Sequence, residues 1–269
     1  MNTKHKILYI SQEIAPYLRE TPMSLLGRNL PSMVQEHGFE ARAFMPKYGC
    51  INERRNQLHE VIRLSGMNII IDDTDHPLII KVATLQPSRM QVYFIDNDDY
   101  FLRHAADGLE TETLLDENDE RSIFYVRGVL ETVKKLRWIP SLIHCTGWIA
   151  ALAPLMLKKV YSYDPSFANV KVVYSLFDQS FQGTLNASMA SKIIGDEISA
   201  EDIPHLAGEP GLMELHKTAI DYADAICISS DNLPDEIVEY AVASGKPLLR
   251  ADASQDGFTA AYKDFYLSL

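Results

Sequence analysis

Cysteine is scarce in this chain. Its three cysteines, Cys50, Cys145 and Cys227, are odd in number, far apart and without CxxC spacing, which argues against a disulfide framework and against a zinc site. They read as reduced structural thiols. The eight histidines show no HExxH or similar close spacing, so no metal is expected. No G-x-G-x-x-G or G-x-x-x-x-G-K-[ST] loop occurs, so neither a dinucleotide nor a P-loop nucleotide is expected as a cofactor. A G-x-S-x-G nucleophile elbow is absent as well, and Ser229-Ser230-Asp231 does not replace it. A hydrolase built on two carboxylates stays open, because separation in space is not written in a sequence.

Long apolar runs are also lacking. None reaches the roughly 18 residues of a membrane span. The richest, 148–157, stops at Lys158-Lys159 and reads as a core helix. The apolar segment 7–10 is too short for a signal sequence, so a cytoplasmic protein is expected. Positive charge is in deficit: 25 Lys and Arg against 37 Asp and Glu leave a net charge of -12. A nucleic-acid backbone or an anionic membrane is then an unfavourable partner. The acidic stretches 116–120, 196–202 and 231–239 read as solvated surface.

What the chain does have is alternation. The β-rich run 7–10 ends in Ser11-Gln12-Glu13, and a helical pattern over 23–36 is closed by His37-Gly38. A strand at 40–45 follows. Closely spaced β-rich runs at 68–71, 78–85 and 91–95, linked by turn chemistry at 72–77 and 86–89, predict an antiparallel β excursion. Beyond it come a helix at 119–136, a strand at 142–144, a helix at 149–159, a strand at 170–176, a helix at 211–222, a strand at 225–228 and a helix at 233–243. Residues 182–210 read as a long surface excursion. The order predicts an α/β fold, a Rossmann-like, doubly wound, mainly parallel sheet. Ligands of such sheets bind beyond the carboxyl ends of the strands, which directs attention to 11–22, 46–49, 144–148, 177–183 and 229–232.

Those stretches carry a resemblance. KILYISQEIAPYLRETPMSLLGRNLP, FMPKYG, QVYFIDNDDYFLR, NDERSIFYVRGVLE, PSLIHCTGW, VVYSLFDQSFQG and DYADAICIS agree in order and spacing with the N-terminal domain of ADP-glucose-dependent glycogen and starch synthases. The resemblance runs from Lys6 to about Tyr240. It implies the N-terminal half of a two-domain, GT-B type glycosyltransferase, in which glucose passes from ADP-glucose to an α-1,4-glucan with retention. The sequence stops where the second half would begin, so the resemblance implies a partner transferase chain or a protein inactive alone. Residues 1–245 are expected to form the synthase-like domain, and 246–269 a linker and an amphipathic helix packed on it.

By that resemblance, Arg19, Tyr48, His144, Trp148, Gln182 and Gly183 are the candidates for contact with a nucleotide sugar or an α-glucan; no catalytic residue is assigned. The departures are equally specific. The family's Lys-Thr-Gly-Gly loop reads Arg19-Glu20-Thr21-Pro22, its His-x-Asx-Asp-Trp reads His144-Cys145-Thr146-Gly147-Trp148, and Phe177 stands where the family has a His. A phenyl ring cannot donate a hydrogen bond to a sugar hydroxyl as an imidazole can. Plainer readings remain beside the functional ones. His144 could bond a loop carbonyl, Trp148 reads better as a packing anchor, Arg19 as a surface residue paired with Glu13 or Glu20, and Gln182-Gly183 as a turn. At the end of the chain, Phe258, Ala261, Tyr262, Phe265, Tyr266 and Leu269 make one apolar stripe on a helix, expected to close back onto the same domain; an interface between two copies is the alternative.

Overall fold

The computed structural model describes residues 5–102, 116–178, 181, 183–195, 197–251 and 258–269. The first half runs β1 (Lys6–Ser11), α1 (Pro22–Glu36), β2 (Glu40–Pro46), β3 (His59–Glu60), β4 (Met67–Ile71), β5 (Thr74–Leu85), β6 (Met90–Asp96), α2 (Asp98–Phe101) and α3 (Asn118–Leu136). The second runs β7 (Leu142–Thr146), α4 (Ala153–Lys158), β8 (Lys171–Leu176), α5 (Met189–Ile193), α6 (Leu212–Tyr222), β9 (Ala225–Ile228), α7 (Asp235–Ala243), β10 (Leu248–Arg250) and α8 (Phe258–Ser268).

The apolar runs 7–10, 142–144 and 225–228 lie in the middle of one sheet, the last separated from the second by the strand 171–176, because a strand buried on both faces does not alternate with polar residues. The sheet order is β10-β9-β8-β7-β1-β2-β6-β5-β3, with β4 paired to β5. From β10 to β6 every pairing is parallel; β5 then runs antiparallel to β6, and β3 and β4 antiparallel to β5. This is the doubly wound, mainly parallel sheet with an antiparallel excursion. Tyr174 bonds His216 of α6 on one face, while its neighbour Ser175 points to the other face, where α8 lies. α4 packs on α6, and α1 packs on α8.

Four local features depart from the sequence reading. The segment 72–77 is not all turn: Asp72 and Asp73 alone turn the chain, both at positive φ, and β5 already begins at Thr74. Two successive left-handed residues make a tight hairpin whose twist suits the flanking strands. The helix expected over 149–159 is split into a 3-10 turn at Trp148–Ala150 and α4, whose first turn holds Pro154, a residue with no N–H to continue a helix from before it. Residues 183–210 are more than a surface excursion. They contain α5, and Leu185, Met189, Ile193, Ile198, Ile203 and Leu206 are buried in the core. Lys192 of α5 anchors them through Asp119 Oδ2 at 2.7 Å and Glu120 Oε1 at 2.6 Å on α3. Finally, β10 extends the sheet within the expected linker, and Cys50 is exposed whereas Cys145 and Cys227 are buried.

Candidate functional site

The carboxyl ends of β1 and β7 adjoin, with Ile10 opposite Cys145 and Ser11 opposite Thr146. The Gln12 amide donates to Thr146 O at 3.0 Å, so the two strands leave the sheet tied together. At this point the chain must turn both into α1 and into the 3-10 turn of Trp148. Gly147 makes the second turn with φ +89, a conformation that favours glycine. A Cβ there would stand 2.5 Å from both Cβ and Oε1 of Gln12. The buried Gln12 side chain thus fills the space over Gly147, the position at which the family resemblance implies a carboxylate.

The first turn of α1 is closed in a comparable way. Thr21 is its N-cap, and Pro22 occupies the first helical position, where a missing N–H costs nothing. Thr21 Oγ1 accepts from the Ser24 amide at 3.0 Å, and the Thr21 amide donates back to Ser24 Oγ at 2.8 Å. Thr21 Oγ1 then donates to Glu13 Oε2 at 2.7 Å. A helix N-terminus attracts anions through unsatisfied amides. Here the Ser24 amide is satisfied by a side chain, and a buried carboxylate, Glu13, already faces the cap. Behind it, a Cβ on Gly27 would lie 2.5 Å from Glu13 O, so glycine is what allows helix and loop to approach.

The candidates from sequence are placed as follows. Arg19 is exposed ahead of α1, its carbonyl accepting from Ser24 Oγ at 2.9 Å. Tyr48 is fully buried, edge-on to Phe101, with the Arg121 guanidinium 6.0 Å from its ring. Trp148 is buried edge-on to Phe181 with centroids 5.3 Å apart, the geometry of a packing anchor. Phe177 is buried too. Gly183 is exposed at φ +89, and Gln182 lies outside the described residues. Trp148 adjoins Gly147 in the chain and opens the 3-10 turn that follows it.

His144 sits two residues short of the strand end, beneath α8. Its Nδ1 lies 2.5 Å from Tyr266 Oη and its Nε2 2.6 Å from Ser175 Oγ. Ser229 Oγ donates to Ser175 Oγ at 3.3 Å and lies 2.6 Å from Tyr262 Oη. A single run of protons satisfies every member: Tyr262 to Ser229, Ser229 to Ser175, Ser175 to His144 Nε2, and His144 Nδ1–H to Tyr266. The run requires a neutral imidazole. Burial supplies one, driving the His144 pKa down to about 3. His216, buried against Tyr174 on the opposite face, is pushed down to about 4 for the same reason.

Among the described residues no group of three or more His, Cys, Asp or Glu is arranged to hold a metal ion. Among the same residues no helix is long and apolar enough to cross a membrane. Of the residues that decide the shape of this edge, Gln12 and Ser24 were not singled out in the sequence, and Glu13 was named only as a pairing partner for Arg19. The Thr21-x-x-Ser24 spacing of a capping box was the signal available for one of them.

A Rossmann-like, mainly parallel sheet with an antiparallel excursion is the architecture that the resemblance implies for the N-terminal half of a two-domain glycosyltransferase. Residues 6–250 match the family model described as the starch synthase catalytic domain, and the chain belongs to that family. It is 38% identical over 237 residues to a glycogen synthase of Chlorobium limicola, covering 87% of this chain and 47% of that protein. It is 40% identical over 196 residues to one of Chlorobium chlorochromatii, covering 72% of this chain and 40% of that protein. The chain thus spans about half the length of the curated relatives it matches. In fold it is similar to the catalytic domain of Starch Synthase IV from Arabidopsis thaliana, solved bound to ADP and acarbose, with a TM-score of 0.72 at 16% identity over 92% of this chain and 51% of that one.

The crowding at Gly147 gives an expected result. Gly147→Asp restores the acid that the resemblance implies, yet at φ 89 and ψ 164, a region that essentially only glycine adopts, it adds about 1–3 kcal/mol of backbone strain and about 1–3 kcal/mol of overpacking. Thermal melting should fall by about 10 °C. Adding Gln12→Ala should recover the packing part and leave the backbone part. A Gly147→Asp protein that melts with the parent would show that Gln12 does not fill this space.

Proposed function

We propose that this chain is a glycogen or starch synthase-like domain that transfers no glucose by itself and retains an α-glucan as its ligand. The parent reaction needs cations and free amides on the departing diphosphate, and carbohydrate-facing groups to align the acceptor hydroxyl. The observation that carries the reading is the closed first turn of α1, where Thr21 takes the Ser24 amide and Glu13 supplies a carboxylate. A diphosphate brought there meets a negative group and a satisfied donor, whereas a neutral glucan meets no charge penalty. Phe177 in place of an imidazole weakens the hold on a donor sugar further. The cytoplasm, where the parent reaction runs, is the proposed location.

The test is a calorimetric titration of the purified chain against ADP-glucose, UDP-glucose, ADP and maltooligosaccharides. Binding of maltooligosaccharides alone is expected, with no radiolabelled glucose passing from ADP-glucose to glycogen. Saturable binding of ADP would overturn the closed donor site, and the absence of maltooligosaccharide binding would overturn the glucan reading. Glucose transfer that appears only on adding a second transferase chain would replace the reading with that of a subunit completed by a partner.

A further inference from the structure

Two surfaces of opposite charge lie at opposite ends of the sheet. At the β3 end, the loop that follows Glu60 meets the last turn of α3, where Lys135 Nζ donates to the Leu64 and Ser65 carbonyls at 3.4 and 3.5 Å. Arg137 caps that helix. Beside it the Arg42 guanidinium stands 4.9 Å and the Lys6 ammonium 5.8 Å from the centre of the Trp138 ring. Arg63 belongs to the same patch, since both it and Arg42 are close enough to the Tyr93 hydroxyl to favour its ionised form. Among the described residues none of Lys6, Arg42, Arg63, Lys135 and Arg137 forms an ion pair. The acids nearby do not cancel them: Glu40 is bonded to Trp138, Glu131 is engaged with Lys134 and Tyr161, and Glu60 stands alone. Set among these cations are two aliphatic side chains left in water, Ile62 at 82% and Ile139 at 55% exposure.

The β10 end has the complementary character. The segment 231–245, which includes α7, carries Asp231, Asp235, Glu236 and Glu239 and no lysine or arginine. Glu236 turns aside to Lys217 at 2.6 Å, while Ile237 and Ala241 form the buried side of the helix. Asp235, Glu239 and Val242, spaced i, i+4 and i+7, therefore share the outward face, and all three are exposed. Neither Asp235 nor Glu239 forms an ion pair among the described residues.

We propose that the outward face of α7 in one copy of this chain docks on the Arg63–Arg137 patch of a second copy, Asp235 and Glu239 meeting the cations and Val242 the exposed isoleucines. The two surfaces flank opposite ends of the order β10-β9-β8-β7-β1-β2-β6-β5-β3, so one copy cannot join them within itself. The contact is then head to tail, with each copy offering a different surface to each neighbour. Each copy carries a net charge of -12, which opposes association at long range. At about 0.1 M salt the Debye length is about 10 Å, so that diffuse repulsion is largely screened while opposite charges in contact are not. Paired unlike charges set the partner and the register, and the small apolar contact adds area without dominating. This inference goes beyond the glucan reading and takes no residue from the Gln12–Gly147 crevice.

The experiment is sedimentation velocity on the whole chain. In about 0.1 M NaCl the parent should associate as its concentration rises, and in about 1 M NaCl the association constant should fall at least about tenfold. Arg63→Glu with Arg137→Glu removes the basic surface, and Asp235→Asn with Glu239→Gln removes the acidic one. All four positions are exposed, and unchanged melting temperatures confirm that the variants fold. Each variant alone should sediment as a monomer. Their equimolar mixture should form a dimer and nothing larger, because only one working surface of each kind remains. A parent that stays monomeric up to about 0.5 mM at the lower salt, association that salt does not weaken, a variant that associates like the parent, or a mixture that stays monomeric would each overturn the proposal.

Discussion

Acidification from pH 6.5 to about pH 4 should cost this protein stability on the order of 5 kcal/mol through two histidines, a large share of what holds a domain folded. His144 and His216 titrate in the folded chain at about 3 and about 4, both below the value of 6.5 for a free imidazole. The unfolded chain therefore binds protons first as the pH falls, and stability drops with pH throughout the interval between the two states. It is fully present above 6.5. The loss from His216 ends near pH 4, and that from His144 continues to about pH 3. Buried Asp96 and Asp119 act in the opposite sense, because burial raises their pKa values and favours the protonated folded form. Urea melts at pH 7.0 and 4.5 in the parent and in a His144→Gln, His216→Gln double variant isolate the histidine part, to about 1.4 kcal/mol per pH unit per group. The double variant should show the flatter profile. An equal slope in both proteins would mean that the two imidazoles are protonated in the folded state.

Why these imidazoles are buried at all bears on how much of the molecule its sequence discloses. The strands 7–10, 142–144 and 225–228 were readable because a parallel strand covered on both faces is a short apolar run bounded by polar residues, and all three lie in one mainly parallel sheet, as expected. The helix ending at His37-Gly38 was readable from its cap, with Gly38 at φ +87. What was not readable is two-body information. His144 is the one strongly polar residue in its strand reading, and by sequence it belonged to a sugar as readily as to a neighbour. Its partners Ser175 and Tyr266 are 31 and 122 residues away, and no local pattern announces them. The same holds at the crevice edge. Gly147 was visible as a lost carboxylate, but the reason a carboxylate no longer fits is Gln12, a residue just past the end of β1. Similarly, Leu248-Leu249 is too short an apolar pair to declare a strand, and becomes one because β9 offers a free edge.

Removing the Tyr262 side chain is the single substitution expected to do most damage, and it tests what α8 contributes. Tyr262 is completely buried, stacked on the His144 ring with centroids 5.7 Å apart, and its hydroxyl starts the run of hydrogen bonds through Ser229 and Ser175. Tyr262→Ala removes an aromatic ring from a site walled by sheet and helix, a change that costs about 3–5 kcal/mol when the cavity cannot collapse. It also leaves the Ser229 hydroxyl without its donor. Tyr262→Phe keeps the ring and deletes only the hydroxyl, so about 1–2 kcal/mol is expected. Leu267→Ala, at an exposed position one turn further along, should change stability by less than about 0.5 kcal/mol. The expected order of melting temperatures is therefore parent and Leu267→Ala together, Tyr262→Phe a few degrees lower, and Tyr262→Ala lower by about 10 °C. The order separates the contributions of ring and hydroxyl. Polar groups at this face, Ser175, Ser229 and His144, would be poorly solvated and poorly paired without the helix, so α8 is held by hydrogen bonds as well as by apolar area. A chain ending at Ala251 should then lose at least as much as Tyr262→Ala, with its near-ultraviolet tyrosine signal altered. If Tyr262→Ala and the shortened chain both melt with the parent, α8 does not rest on the sheet through Tyr262, and the network around His144 is satisfied in some other way.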